Sequence, residues 1–94
     1  MKTKAIIKAV CEYFGYTMKE FRSRSQAAHI SGCRQVLAFM LSEYDRRSSN
    51  DIGRLLDRDH STILHACEIV RADMPRRRRD IENIKAIVQM QGLL

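Results

Sequence analysis

Arg58, Asp59, His60, Ser61, Thr62 and His65 bring a guanidinium, a carboxylate, two imidazoles and two hydroxyls into one short stretch. These groups donate and accept hydrogen bonds in several geometries, and a helix opening on them is built to have its first turn make contact with something. Hydrolytic chemistry fits poorly. Asp59, His60 and Ser61 are adjacent, and neighbours on one helix do not face one another as a catalytic triad requires. A metal site fits poorly too, because His60 and His65 stand about 140° apart on a helix. Asp59 also suits the plain role of helix N-cap.

The flanking residues say what must position this run. Ile52, Leu55, Leu56, Ile63, Ala66, Cys67 and Val70 fit the inner face of two crossed helices, with Arg58 to Thr62 and His65 left pointing outward. This is the pattern of a helix-turn-helix, whose second helix enters the major groove of DNA. Ser48 or Ser49 can cap the helix containing Ile52 to Leu56. Asp57 or Asp59 can cap the next, which is expected to run to about Met74 and stop at Pro75. Upstream, Lys4 to Phe14 places Ile6, Ile7, Val10, Cys11 and Phe14 at helical spacing, ended by Gly15. Thr17 followed by Glu20 reads as a capping box over a short helical turn. After the basic Arg22-Ser23-Arg24-Ser25, a longer helix from about Gln26 to Tyr44 carries the stripe Ile30, Cys33, Leu37, Met40, Leu41 and Tyr44, the expected spine of the fold. A last helix, about Asp80 to Gln91, would close the core with Ile81, Ile84, Ile87, Val88 and Met90. The expectation is an all-α bundle of about six helices, in one domain over residues 1–94.

Ninety-four residues with one Pro and four Gly suit a single small core with little linker. No apolar run approaches the roughly 20 residues of a membrane span, and the charge in Ala5 to Glu12 interrupts any signal-peptide core, so the reading is cytoplasmic and without a membrane partner. Cys11, Cys33 and Cys67 are odd in number and widely spaced, and are read as small buried hydrophobes; no metal, cofactor or small-molecule substrate is called for. The net charge of +6 favours a polyanionic partner. Residues 1–47 carry nine Lys/Arg against four Asp/Glu and residues 48–94 eight against seven, so the reading helix is not itself the basic part. A phosphate grip must come from elsewhere, from among Lys19, Arg22, Arg24, Arg34, Arg46 and Arg47, plus the run Arg76 to Arg79. The run Arg76–Arg79 is most simply a solvated corner between helices.

At Arg58-Asp59-His60-Ser61-Thr62 the chain resembles the C-terminal DNA-binding domain of the bacterial replication initiator DnaA. The resemblance rests on Ile52-Gly53, on Arg58 to Thr62, and on Ile63-Leu64 followed by His65-Ala66-Cys67. Tyr13-Phe14, and Arg34-Gln35 leading into Val36 to Leu41, extend it over about residues 5 to 90. It implies an all-helical domain recognising short A/T-rich boxes in double-stranded DNA, as a monomer. By this resemblance Asp59, His60 and Thr62 fall where base edges are read: a carboxylate accepts from a cytosine amino group, an imidazole bonds or packs at an edge, and a Thr methyl meets a thymine methyl. Arg58, Ser61, His65, Arg34 and Gln35 fall where phosphates are held, and Arg24 or Arg22 where an arginine enters the minor groove.

The chain departs from that pattern in three places. Asp57 stands alone where the family usually has a Gly pair, Glu68 and Ile69 follow where it has a basic residue, and Ala27 to Gly32 is less basic. No Gly-x-x-x-x-Gly-Lys-Ser/Thr loop is present, so the expected function is that of a stand-alone sequence-specific duplex-DNA reader regulating replication initiation or transcription, and not an enzyme. The rival is a protein-interaction module of the same fold that binds a replication protein.

Overall fold

A 17-residue helix is wrapped by the other elements so closely that every side chain from Val36 to Leu41 is buried. In the computed structural model, which describes residues 1–92, the elements are α1 (Thr3–Phe14), α2 (Met18–Phe21), α3 (Ala28–Tyr44), α4 (Ser49–Leu56), α5 (His60–Ala72) and α6 (Met74–Gly92). Among the described residues there is no strand. The central helix, α3, packs against all five others, and α1 also packs on α6. Its stripe makes it the spine expected from sequence, but Val36, Ala38 and Phe39 are buried as well, so the apolar surface extends around the helix.

Local chemistry explains most boundaries. Gly15, at φ 76°, takes the left-handed conformation that stops α1, where a side chain would be strained. The capping box forms: Thr17 Oγ1 accepts from the Glu20 N–H while Glu20 Oε1 accepts from the Thr17 N–H. Ser48 is the cap of α4, its Oγ accepting from Asp51 N at 3.1 Å.

Four expectations need correction. The long helix starts at Ala28, two residues later than Gln26, because Ser23 and Ser25 hydroxyls take the backbone N–H groups of Ser25 and Ala27 and hold the segment in turns. The reading helix stops at Ala72, with Asp73 beyond it, and Pro75 does not end it. Instead Pro75 sits in the first turn of α6, where its missing N–H leaves no helical bond unmade. Starting at Met74 and not at Asp80, α6 takes Arg76–Arg79 into its own first turns, so the run is helical, with Arg76, Arg78 and Arg79 exposed and Arg77 half-buried just past the junction with α5. Arg76 pairs with Asp73 at 2.8 Å and Arg77 with Asp80 at 3.2 Å, offsetting the unfavourable placement of cations at a helix start. Met90 is 63% exposed and lies outside the core, whereas Ile81 and Ile84 are buried.

Cys33 and Cys67 are buried and Cys11 half-buried, and burial pushes all three thiols upward from their ordinary pKa. No helix among the described residues is long and apolar enough to cross a membrane.

Candidate nucleic-acid interface

The turn between α4 and α5 is made by two residues with opposite tasks. Asp57 closes α4 in the left-handed region at φ 55°, ψ 48°, a conformation that Asp and Asn tolerate better than other non-glycine residues. Asp59 then opens α5 as its N-cap, with Oδ1 accepting from Ser61 N at 3.3 Å and from Ser61 Oγ at 3.2 Å. Of the two caps the sequence allows, Asp59 is the one used. The helices cross closely at Gly53: Arg58 N donates to its carbonyl at 2.9 Å, and a Cβ on Gly53 would collide with the Arg58 carbonyl oxygen. Ile52 and Leu56 from α4 and Ile63, Ala66, Cys67 and Val70 from α5 form the buried seam, while Leu55 is half-buried.

With the seam facing inward, α5 turns its first turn and a half outward. Asp59, His60, Ser61, Thr62 and His65 are all exposed. His60 Nδ1 lies 3.9 Å from Asp59 Oδ1, and His65 Nδ1 lies 4.0 Å from Glu68 Oε2. Thr62 lies at the meeting of two clefts. One is formed with Asn50, Arg54 and Asp57, the other with Gln26, Ser31, Gln35 and His65, and Arg24 reaches both. The cleft between α3 and α5 thus gathers Arg34, Gln35, Arg58 and His65, which the sequence sets as much as 31 positions apart.

The basic loop 22–27 is fastened to this surface by guanidinium groups. Arg34 is 7% exposed, and its Nε donates to the Phe21 carbonyl at 2.7 Å while Nη2 donates to those of Ser25 and Ser23 at 3.2 and 3.4 Å. Burial, then the charge of Arg58, lowers its pKa from the ordinary arginine value. Arg58 donates to the carbonyls of Leu56 and Asp57 at 3.1 Å and to that of Ser23 at 2.5 Å. Arg34, expected with Gln35 among the phosphate-holding residues at the start of the long helix, lies largely buried in the second turn of α3 and anchors the loop. Arg24 pairs with Asp57, Nη2 to Oδ2 at 3.2 Å, while Arg22 is exposed at the end of α2.

Other basic residues have partners away from the loop. Arg47 pairs with Asp45, Arg71 with Glu43 and Lys85 with Glu82. Arg46 and Arg47 follow the C-terminal end of α3, about 25 Å along that helix from its start beside the loop. Two residues passed over in sequence, Asn50 and Arg54, line the first cleft from α4. The signal was available, since Ile52 and Leu56 mark the inner face and Asn50 and Arg54, four apart, share an outer one.

Residues 3–70 match the family described as the bacterial dnaA protein helix-turn-helix. The chain is similar to the chromosomal replication initiator protein DnaA of Chloroflexus aurantiacus, 32% identical over 94 residues, which cover 96% of this chain and 20% of that protein. It is 36% identical over 66 residues to the protein of the same name from Flavobacterium psychrophilum, covering 69% of this chain and 14% of that one. The counterpart from Desulfatibacillum aliphaticivorans is 40% identical over 65 residues, again 69% and 14%. The chain thus spans about a fifth or less of the length of these relatives.

Proposed function

Because the chain belongs to the bacterial DnaA helix-turn-helix family, we propose that it is a sequence-specific reader of double-stranded DNA, directed at short A/T-rich sites of the initiator-box kind. The observation that carries this reading is the polar first turn of α5, exposed beside a basic loop that Arg24 and Arg58 tie to the turn before α5 and Arg34 ties to α3. A recognition helix needs its N-terminal residues free for base edges and a separate cationic segment for the backbone. Both lie on one face here.

In this reading Asp59, His60 and Thr62 contact base edges, and Thr62, between the clefts, supplies a methyl for thymine. Ser61, His65 and Gln35 hold phosphates. Arg58 and Arg34 contribute mainly by fixing the loop, with their remaining N–H groups turned to the backbone. Arg24, or Arg22, enters the minor groove, where a narrow A/T-rich tract concentrates negative potential. Neither catalysis nor a cofactor has a part in this. A monomer on an asymmetric site, as one domain in the cytoplasm at the nucleoid, is the simplest form of the activity. Its consequence would be control of replication initiation, by occupying initiator boxes, or of transcription nearby.

The test is fluorescence anisotropy on a duplex carrying an initiator box and on a scrambled duplex of equal A/T content, at two salt concentrations. The box should bind tighter at both. Thr62→Ala and His60→Ala should each remove about 1–3 kcal/mol of that preference while leaving non-specific affinity. Equal binding to both duplexes, lost steeply with salt, would reduce the activity to a basic surface. Absence of binding to either would transfer the exposed helix to recognition of a replication protein.

A further inference from the structure

The outer face of α5 carries one large side chain that can neither donate nor accept a hydrogen bond. Leu64 is 52% exposed, between the polar first turn of the helix and Glu68. A lone exposed leucine is ordinary on a protein surface; its place on this one is not. Met1 and Met90, the other large apolar side chains exposed among the described residues, lie at the start of the chain and in the last turns of α6. Leu64 follows Ser61 by three positions and His60 by four, so it stands one helical turn further on, about 40° round from His60 and about 60° from Ser61 on its other side. It continues the line those two exposed residues begin, about 6 Å along it, and lies within reach of the same major groove, about 12 Å wide. Its direction is fixed by its buried neighbours. With Ile63 and Cys67 held in the seam, α5 cannot turn Leu64 inward.

The chemistry of the groove names the group that such a side chain meets. Base edges there present donors and acceptors, which a leucine leaves unsatisfied, and a single kind of apolar group, the C5-methyl of thymine. Against a G·C pair Leu64 would strip water from polar edges and return no hydrogen bond. Against thymine it buries methyl on methyl. Resting on the DNA-reading assignment above, we infer that Leu64 is a specificity-determining residue that packs on the C5-methyl group of one thymine in the bound site. The contact adds an apolar reading of thymine one turn beyond the polar start of the helix. Glu68, a further turn on, is an exposed carboxylate that phosphates repel, and it marks the far end of the reading surface.

Deoxyuridine is the direct probe, because it pairs as thymine does and lacks only the methyl. The thymines of a box duplex are replaced one at a time, and binding is measured at about 50 and 200 mM salt. For the unmodified chain, replacement at one position should weaken binding about two- to fivefold, the effect of one buried methyl. The loss should be equal at both salts, since the contact is apolar. Leu64→Ala should bind the thymine box weaker by the same factor and be indifferent to deoxyuridine at that position. Leu64→Met, which keeps the apolar volume, should retain the sensitivity, as should Thr62→Ala, which removes a different methyl. An exposed helical position accepts alanine, and circular dichroism verifies the helices. If every replacement that weakens binding of the unmodified chain weakens Leu64→Ala as much, the inference is overturned. An unmodified chain indifferent to all replacements overturns it as well. In either case a box still preferred to the scrambled duplex keeps the DNA-reading assignment, whereas failure of the unmodified chain to prefer the box removes both.

Discussion

Gly53 is the residue whose role is easiest to misjudge from sequence. Inside an eight-residue helix a glycine costs about 1 kcal/mol relative to alanine by propensity alone, so Gly53→Ala reads as a stabilising change. The crossing reverses the sign. The added Cβ would strike the Arg58 carbonyl, and backbone cannot swing aside as the end of a flexible side chain does. We expect Gly53→Ala to destabilise by about 1–3 kcal/mol, seen as a lower Tm in thermal unfolding; an unchanged or higher Tm would mean that α4 and α5 can separate without loss. Gly32 is the opposite case. Its nearest neighbour is the end of the Arg77 side chain, 2.6 Å from where a Cβ would be, and that chain can move. Thr62 and His60 belong to the residue scale as well. Being exposed and outside the core, they can be truncated without disturbing the fold, so their loss is read cleanly in binding.

At the scale of elements, loop 22–27 has no regular backbone ladder of its own and is held by side chains instead. Arg34 satisfies three carbonyls from within α3, so replacing it by Met keeps the stem but orphans acceptors in a half-buried setting. Arg34→Met should cost about 1–3 kcal/mol of stability, and amide exchange in residues 22–27 should accelerate more than in α3 itself. Uniform acceleration across the chain would show that Arg34 supports the whole core and not the loop in particular. The junction of α5 and α6 teaches a related lesson. A proline is compatible with a helix start as well as with a helix end, and which occurs depends on what precedes it. Here the single residue Asp73 suffices as connector, its carbonyl accepting from Arg76 N and Arg77 N at 3.1 and 3.0 Å.

Across the whole molecule, charge is separated by function. The chain has 17 Lys and Arg, but several are tied in pairs just after α3 and on α4 and α6, and the arginines nearest the reading helix are the ones bonded to loop and turn. The opposite end has its own clasp. The Thr3 hydroxyl donates to the Asp45 carboxylate, Arg47 Nε bonds the same carboxylate at 3.0 Å, and the N-terminal ammonium donates to the Tyr44 carbonyl at 3.2 Å. The Thr3 hydrogen bond, then that from Arg47, lowers the Asp45 pKa below the usual carboxylate value. A carboxyl whose pKa is depressed on folding stabilises the folded state above its unfolded pKa, and that contribution is lost as pH falls through the folded value. Stability from this clasp should therefore be constant near neutrality and decline below about pH 4. Thermal unfolding of the protein and of Asp45→Asn between pH 6 and 3 should converge at the acid end; parallel curves would show that the clasp carries no titrating stability.

Much of this architecture was legible because helix patterns are local. Six helices, the capping box at Thr17, the stop at Gly15 and the buried seam of the helix-turn-helix all follow from spacing over a few residues, where apolar side chains three and four apart must share a face. The polar run from Asp59 to Thr62, with His65, was likewise identifiable as an outward surface, because the seam beside it leaves it no other place, whereas Arg58, expected outward with them, is half-buried against the loop. What sequence could not determine were contacts between segments far apart in the chain. The burial of Arg34 depends on where the Phe21, Ser23 and Ser25 carbonyls come to rest, the pairing of Arg24 with Asp57 spans 33 positions, and the exposure of Met90 depends on where the core ends beneath α6. A charged side chain carries no mark of whether it will meet solvent, a carbonyl or a carboxylate. That is decided only when the helices pack and the remaining hydrogen-bonding groups must find partners.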